Sequence, residues 1–400
     1  MARTLRPVDA ITVEVTRIVA GGDGLARDES GRVVFVAGGL PGESVRVDVL
    51  EQRRDFAKAR VREVLRASPV RVSPPCRFVE AGCGGCDWQH IAADAQRRLK
   101  ADIVQDALRR QARVEIQVGV GPALSDSGYR TTVRGTAAEG RFALRHAGSH
   151  ELVPVGPCLV AHPLLDELIT EGRFPDGEVI LRAGARTGER LAIVAGPDRV
   201  EVPEGVRVVT AVSLAAGSRA WFHEELAGRR WRISARSFFQ ARPDGAEALI
   251  ACVADALDGA IGPDAHLVDL YAGVGLFAGA LPAVADVTVV ESGASSVADA
   301  RVNLADRHVR ILKSDVARWR PSRADVVVAD PPRTGLGAAG VGAISATHAP
   351  RVALVSCDPA ALGRDAKLLA AAGYALRSCT LVDLFPHTSH VEAVSRFELE

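Results

Sequence analysis

From about residue 236 onward the chain alternates short apolar runs with alanine-rich stretches, and this alternation restricts its fold more than any other feature. Strands are expected at 266–271, 286–291, 308–312, 325–330 and 351–356. Parallel neighbours need a crossover between them, and runs this uniformly apolar must be covered on both faces. The segment should therefore form a parallel sheet sandwiched by helices. The stretches 374–384 and 391–399, joined by Phe385 to His390, read instead as an antiparallel ending. In such sheets ligands collect at the carboxyl ends of the strands, which places the chemistry at the residues that end each run.

His266 to Tyr271 runs into Ala272-Gly273-Val274-Gly275, where Gly273 lets the backbone approach a ligand closely. Val289-Val290-Glu291 ends the next run 18 residues beyond Gly273, where an acid would hold ribose hydroxyls. Asp315 follows the third strand and is placed to face an adenine amino group. Position 278 is Ala in place of a third glycine, and Asp269 precedes the turn, which favours S-adenosylmethionine over a nicotinamide dinucleotide. Asp330-Pro331-Pro332-Arg333 ends a further strand. An aromatic at its fourth place would suggest methylation of an amine; Arg333 counts against that.

Ser356-Cys357-Asp358-Pro359 ends the run Val352 to Val355, where an α/β enzyme presents a nucleophile. A helix over 359–371 is expected to lower the Cys357 thiol from its usual value of about 8.5. Cys252 and Cys379 fit better as small buried hydrophobes. Uracil C5 is a poor nucleophile until a thiolate adds at C6. After methylation at C5, a base must remove the C5 proton before the thiol can leave. Pro386 to Glu392 supplies His387, His390 and Glu392 as candidates. If 391–399 runs antiparallel to the parallel strands, Glu392 starts at the sheet edge where Cys357 sits. These residues alone leave Glu392 and His390 open.

The 400 residues suffice for two or three cores, and 48% hydrophobic with 24% charged residues fits a soluble protein. A zero net charge argues against a wholesale polyanion binder. Basic residues nonetheless cluster: seven against three acidic over 51–71, and six against two over both 96–113 and 216–242. Patches of this size can grip a few phosphates. Alternating runs between residues 11 and 65, broken by Gly21 to Gly24 and Gly38 to Gly42, predict a barrel of five or so strands of the oligonucleotide-binding type. Residues 91–112 predict a helix that packs on the catalytic domain, and about 113 to 235 a β-rich, glycine-punctuated region with strands at 179–182, 190–195 and 206–213. Domains are accordingly expected at 1–67, 68–235 and 236–400.

No apolar leader follows Met1, and the longest apolar run, Leu270 to Ala285, is too short to span a bilayer. Seven unevenly spread cysteines fit a reducing cytoplasm. Cys76, Cys83 and Cys86 fall together, with Gly84-Gly85 between the last two, and Cys158 follows far along the chain. Four thiolates of this kind suit a tetrahedral site, and spacing does not separate zinc from an iron–sulfur cluster.

Ser237-Phe238-Phe239-Gln240, Asp330 to Arg333, Ser356 to Pro359 and His390-Val391-Glu392, in that order, resemble the motifs of the RNA (uracil-C5)-methyltransferases. The resemblance covers nearly the whole chain, including a TRAM-like barrel before residue 68 and Trp88-Gln89-His90 after the cysteines. It implies a multidomain α/β protein: an OB-like TRAM barrel, a β-rich central domain and a Rossmann-like class I methyltransferase with an antiparallel last strand. It implies Cys357 as nucleophile, Glu392 as base, and donor contacts from Gln240, Tyr271, Glu291, Asp315 and Asp330. It further implies a [4Fe–4S] cluster rather than zinc on Cys76, Cys83, Cys86 and Cys158, and a monomer acting on RNA, ribosomal before transfer. Two departures stand out: Leu276 occupies a donor-loop position where many relatives carry Asn, and the first cysteine interval is one residue longer than is common. Rival expectations are cytosine-C5 methylation and an iron–sulfur RNA-binding module with an inactive methyltransferase fold.

Overall fold

The computed structural model describes residues 10–197, 200–282 and 284–400; the segment 1–9, on which the expectation of no leader rests, lies outside them. Alternation of Val and Ala with charged residues builds β1 (Ile11–Glu14), β2 (Arg17–Ile18), β3 (Gly24–Arg27), β4 (Val33–Ala37), β5 (Ser44–Gln52) and β6 (Phe56–Arg66). They pair in the order β1-β5-β6-β4-β3-β2. Val13, Val34, Val36, Val45, Val47, Ala57 and Ala59 point inward and form a separate core. The run expected as one strand over 11–19 breaks into β1 and β2.

A linker carrying the clustered cysteines leads to α1 (Ala93–Ala107), which continues as a π-helical turn to Ala112. Ala101, Val104 and Leu108 bury themselves in the catalytic core against Leu362, Ala366 and Leu369. Next comes β7 (Gly119–Val120), then β8 (Thr132–Ala138), β9 (Arg141–Arg145), β10 (Leu152–Pro154), α2 (Pro163–Glu171), β11 (Gly177–Ala183), β12 (Arg190–Val194), β13 (Val206–Thr210) and α3 (Ala211–Ala215). The central sheet runs β10-β9-β8-β11-β12-β13. The strand expected over 206–213 stops at Thr210 because Thr210 and Ser213 form a reciprocal capping box that starts α3. The hairpin β14 (Trp221–Leu226) and β15 (Arg229–Ser234) then turns its Phe222, Trp231 and Ile233 into the catalytic core.

After α4 (Pro243–Leu257) the expected alternation unfolds as β16 (His266–Leu270), α5 (Leu276–Ala280), β17 (Asp286–Glu291), α6 (Ala294–Asn303), β18 (Val309–Lys313), β19 (Val326–Ala329), α7 (Gly337–Ala346), β20 (Arg351–Ser356) and α8 (Pro359–Ala371). Then β21 (Tyr374–Leu381) and β22 (Ala393–Leu399) close the chain. The sheet order is β18-β17-β16-β19-β20-β22-β21-β7, and β22 is antiparallel to both its neighbours. The order reverses between β16 and β19, which opens the crevice of a doubly wound sheet there. The added edge strand β7 has only two residues and no readable period. Among the described residues no helix is long and apolar enough to cross a membrane.

Candidate active site

A glycine-rich loop starts where β16 ends. Tyr271 takes a left-handed backbone (φ 59°), unusual for a residue with a Cβ, and Gly273 and Gly275 follow at φ 56° and 90°. The Gly273 N–H donates to Glu291 Oε2 at 2.9 Å, and the Gly293 N–H to Oε1 at 2.5 Å. Glu291 thus ties the turns after β16 and β17 together at the sheet edge. Asp315 is exposed and accepts the Ala317 N–H at 2.8 Å, capping a single turn beside the same crevice. Burial, with the Asp315 and Asp365 carboxylates nearby, pushes the Tyr271 hydroxyl up to about 12. Gln240 is buried at the end of the Ser237 to Phe239 segment, while Phe238 is 68% exposed.

Two residues that sequence reasoning missed fix that segment. Arg182 Nη1 donates to the carbonyls of Ser234, Ala235 and Ser237 at 3.1, 3.2 and 2.8 Å. Asp299 accepts from the Ser234 N–H and from Ser237 Oγ at 2.8 and 2.6 Å. Neither carried a motif; their roles arise only when β11 and α6 meet the loop.

Across the crevice β20 pairs with β22 so that Ser356 faces Ala393, which makes Cys357 and Glu392 the next residues at that edge. Asp330 follows β19 beside them, its N–H on the Leu270 carbonyl at 3.3 Å. Burial raises Glu392 well above the ordinary carboxylate range, Asp330 raises it further and Arg333 opposes this. Burial lifts Asp330 to about 7. Asp269, fully buried behind the loop with Oδ2 on the Ala278 N–H, rises to about 8 mainly by burial. The rival His390 is exposed and lies 3.5 Å from Arg333, and His387 is buried against Gln96.

The expected lowering of the Cys357 thiol does not occur. Burial, then the Glu392 and Asp330 charges, push it up to about 11, and Arg333 offsets only part. The first turn of α8 is also already capped, Asp358 accepting the Ala361 N–H at 2.7 Å. Burial, with negative charge next to the sulfur, outweighs a helix end that a carboxylate already occupies. In the free protein, alkylation of Cys357 by iodoacetamide should be slow at pH 7 and climb toward pH 10. Replacing Glu392 by Gln should move that profile to lower pH. Site-resolved mass spectrometry reads both, and an unshifted profile in the variant would contradict the electrostatic account.

Cys76, Cys83, Cys86 and Cys158 line one cavity of about 520 Å³ with Gln89, Arg130 and His390. Backbone anchors hold its rim: Gly84 N–H to the Arg145 carbonyl at 2.9 Å, Cys76 N–H to Gln89 Oε1 at 3.0 Å, and Cys158 N–H to Asp166 Oδ1 at 2.6 Å. A Cβ at Gly84 would come within 3.1 Å of the Ala147 backbone, so the turn accepts no side chain without a shift. Among the described residues no group of three or more His, Cys, Asp or Glu is arranged for a single metal ion. The four cysteines share that cavity wall with the Arg130 guanidinium. A neighbouring cavity of about 680 Å³ is lined by Arg182, Arg236, Phe238, Arg333 and Phe385 and shares Arg130, Arg134, Glu178 and His390 with the first.

Comparison with known proteins adds an independent line. A TRAM domain model matches residues 6–61, and the model "tRNA (Uracil-5-)-methyltransferase" matches residues 318–397. An "Uncharacterized RNA methyltransferase" of Streptomyces avermitilis is 37% identical over 96% of this chain and 97% of its own. The 23S rRNA (uracil(1939)-C(5))-methyltransferase RlmD of Chromohalobacter salexigens is 34% identical over 96% of this chain and 88% of its own. Among solved structures, the Pyrococcus abyssi tRNA (uracil-54, C5)-methyltransferase with S-adenosyl-L-homocysteine superposes with a TM-score of 0.72. That match covers 96% of this chain and 99% of that one at 22% identity, a likeness of fold.

Proposed function

The chain belongs to the RNA (uracil-C5)-methyltransferase family, whose members use S-adenosylmethionine, and from this premise we propose that it forms 5-methyluridine in 23S rRNA with Cys357 as nucleophile and Glu392 as base. The observation that carries the reading is the pairing of Ser356 with Ala393, which sets a thiol and a buried carboxylate side by side at the donor edge of the sheet. The donor, when bound, supplies an electrophilic methyl group. With both carboxyls ionised, Cys357 sulfur adds to C6 of the uracil as its proton passes to Asp330, which holds a proton up to about 7, and Glu392 stays unprotonated for the later step. The resulting enolate carbon C5 takes the methyl, and the donor leaves as S-adenosylhomocysteine. Glu392 then removes the C5 proton, the C6–S bond breaks, the departing thiolate takes back the proton held on Asp330, and the C5 proton passes from Glu392 to solvent. Gln240, Tyr271, Gly273, Glu291, Asp315 and Asp330 are the residues assigned to hold the donor.

An in-helix uridine is out of reach of a strand-end thiol, so the target must leave its stack. The arginine-lined cavity beside Arg333, with the exposed Phe238 on its wall, suits an unstacked RNA segment. The barrel's basic strands would add phosphate contacts. Cys76, Cys83, Cys86 and Cys158 are assigned to a [4Fe–4S] cluster, which when bound would cross-link the linker to the central domain. A monomer in the cytoplasm completes the reading.

Ribosomal RNA is preferred because full-length relatives at 34% and 32% identity are named as 23S rRNA enzymes. The test is nucleoside analysis of ribosomal and transfer RNA from cells with and without the protein. Loss of one 5-methyluridine from 23S rRNA is expected. Loss confined to transfer RNA, or loss of 5-methylcytidine, would overturn the assignment.

A further inference from the structure

Glu392 sits at the end of a loop that makes little structure of its own. Residues 382–392 leave β21 and return to β22, closed at the neck by the Val382 N–H donating to the Glu392 carbonyl at 2.8 Å. Within the loop the Phe385 N–H donates to Asp383 Oδ1 at 3.2 Å, and Thr388 donates its N–H and hydroxyl to the Phe385 carbonyl at 3.2 and 2.8 Å; further anchors come from far earlier in the chain. Lys100 of α1 donates from Nζ to Asp383 Oδ1 at 2.6 Å and to the Phe385 carbonyl at 3.0 Å. Gln96, one turn back, accepts the His387 N–H at 2.6 Å. The Trp88 N–H donates to the His387 carbonyl at 2.9 Å, and Asp87 accepts the Ser389 N–H at 2.9 Å. Tyr129 donates its hydroxyl to the Pro386 carbonyl at 2.9 Å.

We propose that Lys100 is a positioning residue for the carboxylate of Glu392, acting through Asp383 and the Phe385 carbonyl to fix the loop that delivers it. This rests on the assignment of Glu392 as base. The Lys100 and Asp383 side chains are 0% and 4% exposed. A buried ion pair gives little net stability over well-packed apolar side chains, so stability alone does not account for it. What an apolar pair lacks is direction. An ammonium donating at once to a side chain and to a backbone carbonyl two residues on fixes the turn in rotation as well as in depth. A base must meet its proton within hydrogen-bonding reach, and a displacement of about 1 Å is enough to cost roughly 10²-fold in rate.

The test is the double variant Lys100→Met/Asp383→Leu, which removes both charges together and keeps side-chain volume, beside Lys100→Arg and Glu392→Gln. Thermal melting and S-adenosylhomocysteine binding check the fold and the donor site. Labelled methyl and denaturing gels follow adduct formation and release separately on a uridine-containing transcript. The double variant should melt and bind donor like the parent and form methylated adduct, yet release product roughly 10²-fold more slowly, so that covalent protein–RNA accumulates. Lys100→Arg should restore much of the release rate. If the double variant releases product at the parental rate while Glu392→Gln traps adduct, the tether is overturned and the base stands. If Glu392→Gln itself releases freely, the base assignment falls and this proposal with it. If the double variant melts below assay temperature, Lys100→Gln decides, since its shorter neutral head does not reach both Asp383 and the Phe385 carbonyl: adduct accumulation in that folded protein supports the tether, and release at the parental rate overturns it.

Discussion

Cys357→Ala is expected to abolish both methyl transfer and any covalent link to RNA, with a loss on the order of 10⁴-fold or more in turnover. Alanine removes the only sulfur at the carboxyl end of β20 and leaves C5 of the uracil without an activated carbon. Cys357 is half-buried at the end of its strand, so the fold and donor affinity should survive. Labelled-methyl incorporation and a denaturing gel measure the two losses. Residual turnover within tenfold of the parent would remove the thiol mechanism.

Glu392→Gln should separate the halves of the reaction. The amide keeps the shape of the side chain but does not take the C5 proton, so methylated adduct should form and persist. Product release should fall by about 10² to 10⁴-fold, the usual range for a positioned base. A pH dependence follows from the direction of the shift. Burial and Asp330 hold the carboxylate protonated well above the usual range, so the fraction able to act as base grows as pH rises. Release by the parent enzyme should therefore accelerate with pH through the neutral range, where Asp330 at about 7 also ionises. The glutamine variant should lose that slope. A flat parental profile measured by single-turnover quench would place the base elsewhere.

The meeting of Cys357 with Glu392 was legible in the sequence because it needs only two local facts: where an apolar run ends and that the last strand reverses. The turn over Tyr271 to Gly275 was legible for the same reason, glycine spacing being a local property. The thiol's state was not. A helix following Cys357 suggested a lowered pKa, whereas burial by the surrounding fold raises it, and Glu392 and Asp330, which add to that, arrive from other strands. The joining of the β14–β15 hairpin to the catalytic core was equally hidden, since its alternating pattern fits any sheet or layer.

The sequence by itself determined the parallel sheet, the barrel and the residues at each strand end, because hydrophobic period and turn chemistry act over a few neighbours. Tertiary structure alone decided how charged those residues are and what holds them. Lys100 and Asp383 lie 283 positions apart, and Arg182 reaches a loop 52 to 55 residues on. Burial and Coulomb interaction depend on distance in space, which no short window of sequence contains.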